Sequence, residues 1–407
     1  MEGNKKDRLL GFNRNVFFLG VVSFLTDISS EMIFTILPLF LFNVLRTGTP
    51  IIGLIEGIAE STASLFKIIS GWLSDRTGHR KTLAVFGYSI STLAKPFLYF
   101  ATSWGIVAAV RFIDRAGKGV RSSPRDALIA DCSPPREVGK SFGLHRAMDT
   151  SGAVVGLAIA ALVIYVIQQG EIEITRHAFQ TIVLIGIGPA ILAVLILLFV
   201  VREKARTPSP GVISCPDQNQ AEQPQSHKFD LRFKLFLIVL IIFTLGNSSD
   251  AFLILRAQNL DFSVAQILLL FIVFNLVYAL AAVPAGLVSD RLGRKRVIIV
   301  GWSIYALAYL GFALASAPWQ VWMLFILYGL YYGIAEGVSR AFVCDLVPCE
   351  RRGTAYGLYH TAVGLSLLPA SLIAGWLWQL IGPEATFYFG AAMAAIAMLG
   401  IALLIKE

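Results

Sequence analysis

The sequence contains little charge and little cysteine for its length. Of its 407 residues, 15% are Asp, Glu, Lys or Arg and 56% are hydrophobic, and the mean hydropathy is +0.70. Soluble domains carry roughly 25% charged residues, so this composition excludes an ordinary soluble protein. The four cysteines include no second ligand pair at zinc spacing, and we expect neither a metal site nor disulfides. The chain is therefore predicted to be an all-α polytopic protein of the lipid bilayer.

Motifs of catalytic proteins are also missing. There is no Walker loop to cradle nucleotide phosphates, no H-E-x-x-H metal motif and no convincing Ser or Cys nucleophile arrangement. The net charge of +8 comes mostly from Lys and Arg in short connections between apolar runs, which is typical of membrane orientation rather than of nucleic-acid binding. We therefore expect no enzymatic activity, no cofactor and no nucleic-acid partner.

Twelve apolar runs are long enough to cross a bilayer, which requires about 20 residues. They form two groups of six, separated by a Pro-, Gln- and Ser-rich stretch that is typical of a flexible linker. We predict a six-helix bundle over residues 1–201, a cytoplasmic linker over 202–229 and a second six-helix bundle over 230–407. The spans are predicted near 16–45, 50–73, 82–101, 104–131, 138–167, 178–201, 232–257, 263–288, 297–316, 318–344, 354–381 and 384–405.

Positive charge is distributed unevenly between the connections. One side carries most of the Lys and Arg, whereas the loops of the other side hold little more than Arg46 and Arg176. Cytoplasmic loops of membrane proteins are enriched in Lys and Arg. Both termini and the linker are therefore predicted to be cytoplasmic, in a multi-pass protein of the plasma (inner) membrane.

The two halves repeat one another. The stretch GWLSDRTGHRK, residues 71–81, recurs 215 residues later as GLVSDRLGRKR, residues 286–296. Asp131 and Gly143 are likewise matched by Asp345 and Gly357, 214 residues later. Repeated six-helix halves imply two domains that share an interface at the membrane midplane.

The repeated loop resembles the signature of the Major Facilitator Superfamily, G-x-L-x-D-R-x-G-R-R/K, and the resemblance covers essentially the whole chain. His79 stands where the family usually has Arg. The resemblance implies twelve transmembrane helices in two pseudo-symmetric halves and a cytoplasmic latch that stabilises the outward-facing arrangement. The residues assigned to this gate motif are Gly71, Asp75, Arg76, Gly78, Arg80 and Asp131 in the first half and Gly286, Asp290, Arg291, Gly293, Arg294 and Asp345 in the second.

Two further motifs of that family are present with changes. The fourth span contains RFIDRAGKG, which is similar to R-x-x-x-G-x-G-x-G except that Arg115 occupies the first glycine position. In the fifth span, Gly143, Gly152 and Gly156 keep the first spacings of the antiporter motif, but Leu157 replaces its proline. The retained spacings suggest export. The wider pattern resembles a prokaryotic subgroup of the superfamily whose substrates are mostly undefined.

The fourth span is also unusually rich in ionisable residues, most of them between 111 and 131. Such groups are costly in a bilayer and usually face a polar interior or a water path. Helical spacing places Arg111, Arg115 and Lys118 on one stripe, and the second span offers Glu56 and Glu60 one turn apart. We predict a substrate or proton pathway that contains Asp27, Glu31, Arg111, Asp114, Arg115, Lys118, His145, Asp149, Asp250 and Glu336.

Two interpretations of these charges remain open. In one, Asp27, Glu31 or Asp149 takes up protons beside the cationic stripe, and this charge-pair switch couples proton flow to alternating access. In the other, permanent salt bridges hold the helices together. Lys67 and Lys95 are predicted to extend along their helices to the membrane surface.

We therefore predict a monomeric secondary transporter with a small-molecule substrate and protons as coupling ion. The leading prediction is proton-coupled efflux of a small organic solute or drug, anionic or zwitterionic, because the fourth span is so basic. Uptake of an organic anion is the nearest alternative. Export of a divalent metal ion or metal chelate is another, which would use Asp27, Glu31 and His145.

Overall fold

The computed structural model describes residues 8–9, 12–133, 138–168, 172–202, 229–347 and 352–405. Residues 1–7, 10, 11, 134–137, 169–171, 203–228, 348–351, 406 and 407 lie outside the described part. The side chains of Asp75 and Asp290 are outside it as well. The predicted linker therefore falls almost entirely outside the described residues, and the division into three parts stays a prediction.

The described residues are almost entirely helical. The first half contains α1 (Arg14–Phe34), α2 (Leu37–Leu39) with a π-helical turn (Phe40–Val44), α3 (Thr49–Thr77), α4 (Arg80–Ala94) with a 3-10 turn (Lys95–Phe100), α5 (Trp104–Asp131), α6 (Val138–Gln168) and α7 (Arg176–Phe199). The second half contains α8 (Leu231–Gly246), α9 (Ala251–Asn259), α10 (Val264–Leu292), α11 (Arg294–Leu314), α12 (Pro318–Leu346), α13 (Arg352–Leu380) and α14 (Pro383–Leu404). A two-residue pairing of β1 (Arg8–Leu9) with β2 (Phe12–Asn13) precedes α1.

Within the described residues, nine helical segments are long and apolar enough to cross a membrane. The other three long segments, α3, α4 with its 3-10 turn, and α5, carry much of the charge of the first half. They pack among the apolar helices, α3 and α4 each against α5. The prediction of an all-α polytopic membrane fold is therefore confirmed, and twelve crossings are consistent with this packing.

The first helix of each half is broken near its middle. In the first half α1 stops at Phe34, and Pro38 begins the next turn, because proline has no backbone N–H to continue a helical ladder. In the second half the break spans Asn247 to Asp250, between α8 and α9. Both breaks leave polar backbone and side chains inside the bundle, which is tolerated where they line a cavity.

The two halves meet closely at one end and separate at the other. We call the end that carries the loops at Gly78 and Gly293 the motif end, and the opposite one the far end. At the far end, the Thr49 hydroxyl donates to the Gly375 carbonyl across the halves at 3.1 Å. Toward the motif end, a methyl group added to Gly143 or Gly357 would meet open space. The central cavity therefore opens toward the motif end.

Candidate functional site

Two adjoining cavities lie between the halves. The first, of about 330 Å³, is lined by both helix breaks, including Thr35 and Asn247. The second, of about 750 Å³, lies nearer the motif end. Glu31 and Asn275 line both. The two cavities thus form one polar path from the centre of the bundle toward the motif end.

The cationic stripe of α5 faces acidic residues of α3. Arg111 forms a buried salt bridge with Glu56 at 2.7 Å, and both side chains are 5% exposed. Its guanidinium also lies over the ring of Phe34, 4.5 Å from the centroid. One turn along, Arg115 pairs with Glu60 at 3.0 Å. All four charged residues line the first cavity, so this part of the stripe lies on a polar interior.

A carboxyl pair lies in the second cavity. Asp27 of α1 and Asp149 of α6 both line it and interact electrostatically, and two neighbouring carboxyl groups in a poorly solvated site tend to retain one proton between them. Asp149 also accepts from the Ser23 hydroxyl at 2.6 Å and pairs with Arg146 at 3.4 Å. The pair can therefore hold a proton beside fixed positive charge.

A series of hydrogen-bonded side chains connects this pair to the second half. Arg146 of α6 donates a hydrogen bond to the Tyr278 hydroxyl of α10. Tyr278 in turn donates to Glu336 of α12 at 2.9 Å, and Glu336 accepts from Arg340. Tyr278 is not among the predicted pathway residues, because a single tyrosine within an apolar span gives no distinguishing signal. This series of side chains links the carboxyl pair to the opposite half.

The second half contributes one further carboxylate to the first cavity. Asp250, which stands at the break between α8 and α9, accepts a hydrogen bond from the buried Tyr328 hydroxyl at 2.7 Å. Tyr332 lines the same cavity, and Tyr331 is buried behind it. The aromatic group of α12 thus forms part of the wall opposite the cationic stripe.

Two of the predicted pathway residues line neither cavity. Asp114 is buried against α4, where it accepts from the Ser91 hydroxyl, because its side of α5 faces the close contact between Gly87 and Gly117. His145 is 5% exposed, and its Nε2 atom has no hydrogen-bond partner among the described residues. In this arrangement both side chains therefore lie outside the cavity lining.

The prediction that Lys95 and Lys67 extend to the membrane surface is wrong. Lys95 is 1% exposed, and its ammonium donates to the hydroxyls of Ser29 at 2.8 Å and Ser30 at 3.1 Å. These hydroxyls offer a closer polar environment than the surface does. Lys67 instead lines the second cavity.

The gate motifs have the same construction in both halves. The turns use Gly78 and Gly293 at positive φ, 70° and 89°, where glycine is favoured. Arg80 pairs with Asp131, and Arg294 pairs with Asp345 at 2.8 Å; each pair spans 51 residues.

The other motif residues differ in their surroundings. Arg76 lies over the ring of Trp72, 5.3 Å from its centroid. Arg291 is exposed at the end of α10. Gly71 approaches Ser123, whereas Gly286 faces open space. Each arginine–aspartate pair lies within a single half. Both pairs are therefore formed in this arrangement, in which the cavity is open at the motif end.

The cavity residues do not form a metal centre. Across the described ranges, no group of three or more His, Cys, Asp and Glu side chains comes close enough together to hold a metal ion.

Comparisons with known proteins agree with this architecture. The sequence profile of the Major Facilitator Superfamily matches residues 19–254 and 235–407. An uncharacterized MFS-type transporter of Methanocaldococcus jannaschii is 39% identical over 402 residues, 97% of this chain and 96% of the relative. The multidrug resistance protein MdtG of Proteus mirabilis is 24% identical over 403 residues, 96% of this chain and 95% of the relative.

Solved structures show the same fold. A mutant form of the nucleoside transporter NupG superposes with a TM-score of 0.78 at 15% identity, over 96% of this chain and all of the other. A POT family transporter in complex with a thioalcohol-conjugated peptide gives 0.80 at 12% identity, over 98% of both chains. The chain belongs to the Major Facilitator Superfamily.

Proposed function

We propose that the protein exports a small anionic or zwitterionic organic solute by alternating access of its two halves, in exchange for protons. The observation that supports this most directly is the Asp27–Asp149 pair and its connection to Glu336 through Arg146 and Tyr278. Loss of the shared proton would place two negative charges side by side. Arg146 would then be drawn toward them and away from Tyr278, which changes a contact between the halves.

The direction of transport rests on a resemblance. The glycine spacing of α6 is similar to that of antiporters, and one relative is named a multidrug resistance protein. We assign the motif end to the cytoplasm because the Lys and Arg of the connections are concentrated there. In this arrangement the cavity would load from the cytoplasm, as an exporter requires.

The coupling residues can be tested in proteoliposomes. We expect Asp149→Asn and Asp27→Asn to abolish transport driven by a proton gradient, because an amide cannot take up a proton. Both variants should retain exchange of labelled for unlabelled substrate, since exchange needs only binding and rocking. Asp230→Asn, at an exposed position before α8, is the matched control and should transport normally. Full gradient-driven transport by both cavity variants would show that the proton is carried elsewhere.

A further inference from the structure

The facing surfaces of α3 and α5 form a ladder of charge pairs that changes at its third level. The first two levels are Arg111 with Glu56 and Arg115 with Glu60. Residues seven apart lie on the same face of a helix, so Lys67 follows Glu60 on α3 and Lys118 follows Arg111 on α5. The close contact of Gly119 with Ala63 and Phe66 places these stretches of the two helices side by side. Beyond the second level lysines replace the ion pairs: Lys118 lies at the level of Ala63, and Lys67 lies about one turn further along, beside Ser123. Both lysines line the second cavity.

Neither ammonium group has a counter-ion of its own. In the part of the chain that the structure describes, neither lysine side chain makes an ion pair or a hydrogen bond. Of the arginines that line the same cavity, Arg125, Arg146 and Arg340 are each paired with a carboxylate, and Arg121 lies over the Tyr88 ring. Glu60 and Asp27 attract Lys118 without forming an ion pair with it, and Glu60 is paired with Arg115. Like charges that line one poorly solvated cavity repel each other. An anion bound between the two lysines would compensate both charges.

We propose that Lys67 and Lys118 bind the phosphoryl group of a phosphomonoester substrate in the second cavity. A phosphomonoester carries close to two negative charges at neutral pH, which matches two ammonium groups, whereas a single carboxylate would leave one uncompensated. Lysine binds phosphate as a compact point charge with three donors. The cavity of about 750 Å³ has room for a small organic body beside the phosphoryl group.

The opposite wall suits the same ligand. Arg340 of the second half interacts electrostatically with Lys67 across the cavity, and His360 lines the wall near it. An anion held by the two lysines would attract Arg340, although Arg340 is paired with Glu336 in the open arrangement. Binding would thus draw the halves together at the motif end. This inference names the substrate class of the site proposed above and rests on that function.

Binding to the purified full-length protein tests the inference directly. The probes are inorganic phosphate, glycerol 3-phosphate, succinate and lactate, compared by calorimetry and by the shift in melting temperature. We expect the two phosphate compounds to bind at least about tenfold more tightly than lactate, because lactate forms one fewer charge-assisted contact. Absence of binding by both phosphate compounds would overturn the inference. So would tighter or equal binding of succinate or lactate.

Variants locate the site. We expect Lys67→Gln and Lys118→Gln each to weaken binding of glycerol 3-phosphate about tenfold or more, and Lys67→Arg to retain it. The matched control is Lys234→Gln, at an exposed position on α8, which should bind like the wild type. Unchanged binding by both cavity variants would overturn the assignment.

A measurement on the wild type covers the case in which the glutamine variants do not fold. Saturating glycerol 3-phosphate should protect Lys67 and Lys118 from amine acetylation, read by mass spectrometry, but should not protect Lys234. Equal acetylation with and without the ligand would contradict the inference. Proton-driven flux of a ligand other than a phosphomonoester would refute the substrate class and leave the proposed function standing. Binding of a phosphomonoester together with transport that does not depend on a proton gradient would refute the proposed function and leave the substrate class standing.

Discussion

The two salt bridges of the charge ladder differ in how deeply their side chains are buried. The Arg111–Glu56 pair is 5% exposed on both sides, whereas Arg115 and Glu60 are 13% and 36% exposed. Desolvated charges depend on their partner, because removal of one leaves the other buried without compensation. The buried pair should therefore be the more sensitive of the two to loss of a partner.

We predict that Glu56→Gln destabilises the folded protein by about 3–5 kcal/mol, the usual cost of breaking a buried pair. Glu60→Gln is the matched comparison and should cost clearly less, because water screens the exposed carboxylate. Chemical denaturation of the purified variants measures both. Equal losses would mean that water reaches Arg111 as freely as Arg115.

Single residues also show where sequence reasoning failed. Helical spacing was sufficient to place Arg111, Arg115 and Lys118 on one polar face. It could not identify the partners of the two arginines, because Glu56 and Glu60 meet them only through the packing of α3 on α5. Lys95 was misplaced for the same reason, since its serine partners belong to α1, 65 and 66 residues away in sequence.

At the level of elements, α3 and α13 form the closest contact between the halves. Small residues let the two backbones approach one another: a methyl group on Gly53 would lie 2.2 Å from the Ser371 carbonyl oxygen, and one on Gly57 would lie 2.8 Å from Leu368 Cα. The Ser61 hydroxyl also donates to the Gly364 carbonyl at 2.6 Å. This contact holds the far end closed while the motif end is open.

We predict that Gly53→Ala shifts the protein away from this arrangement, because the added methyl group cannot be accommodated without separating α3 from α13. Gly188→Ala on α7 is the control, since a methyl group there meets open space and alanine favours a helix more than glycine does. In a variant without other cysteines, a cysteine introduced at Ser122, which lines the second cavity, reports this change of arrangement. Its rate of maleimide labelling should fall in the Gly53 variant alone, and an unchanged rate would show that the halves do not move about this contact.

The elements were predictable to different degrees. All the predicted spans correspond to observed helices, because long apolar runs have few alternatives in a bilayer. The break before Pro38 has a visible cause in the sequence. The break from Asn247 to Asp250 has no proline, but its Asn, Ser and Asp residues favour turns and caps over a helix interior, and the Ser249 hydroxyl accepts a hydrogen bond from the Ala251 N–H.

Across the whole molecule, the internal repeat accounts for the framework that the two halves share, whereas the charged residues of the two halves differ. Both halves keep a broken first helix and an arginine–aspartate pair 51 residues apart at the motif end. The charge ladder exists only in the first half, since the part of α12 equivalent to the cationic stripe, residues 325–332, contains no charged residue. The second half instead presents an aromatic wall with Asp250. A duplicated scaffold thus carries its ionisable cavity residues mainly on one side.

The orientation of this scaffold in the membrane can be tested on the whole molecule. We predict that a membrane-impermeant maleimide labels a single cysteine at Ser122 in inside-out vesicles and much more slowly in right-side-out vesicles. This follows if the motif end is cytoplasmic and the cavity opens there. A cysteine at Ile172, which is 41% exposed at the far end, should show the opposite preference and serves as the control. Labelling of Ser122 from the outside would reverse the orientation. Equal labelling from both sides would mean that the halves exchange freely between arrangements, in which case the contact between α3 and α13 stabilises neither one over the other.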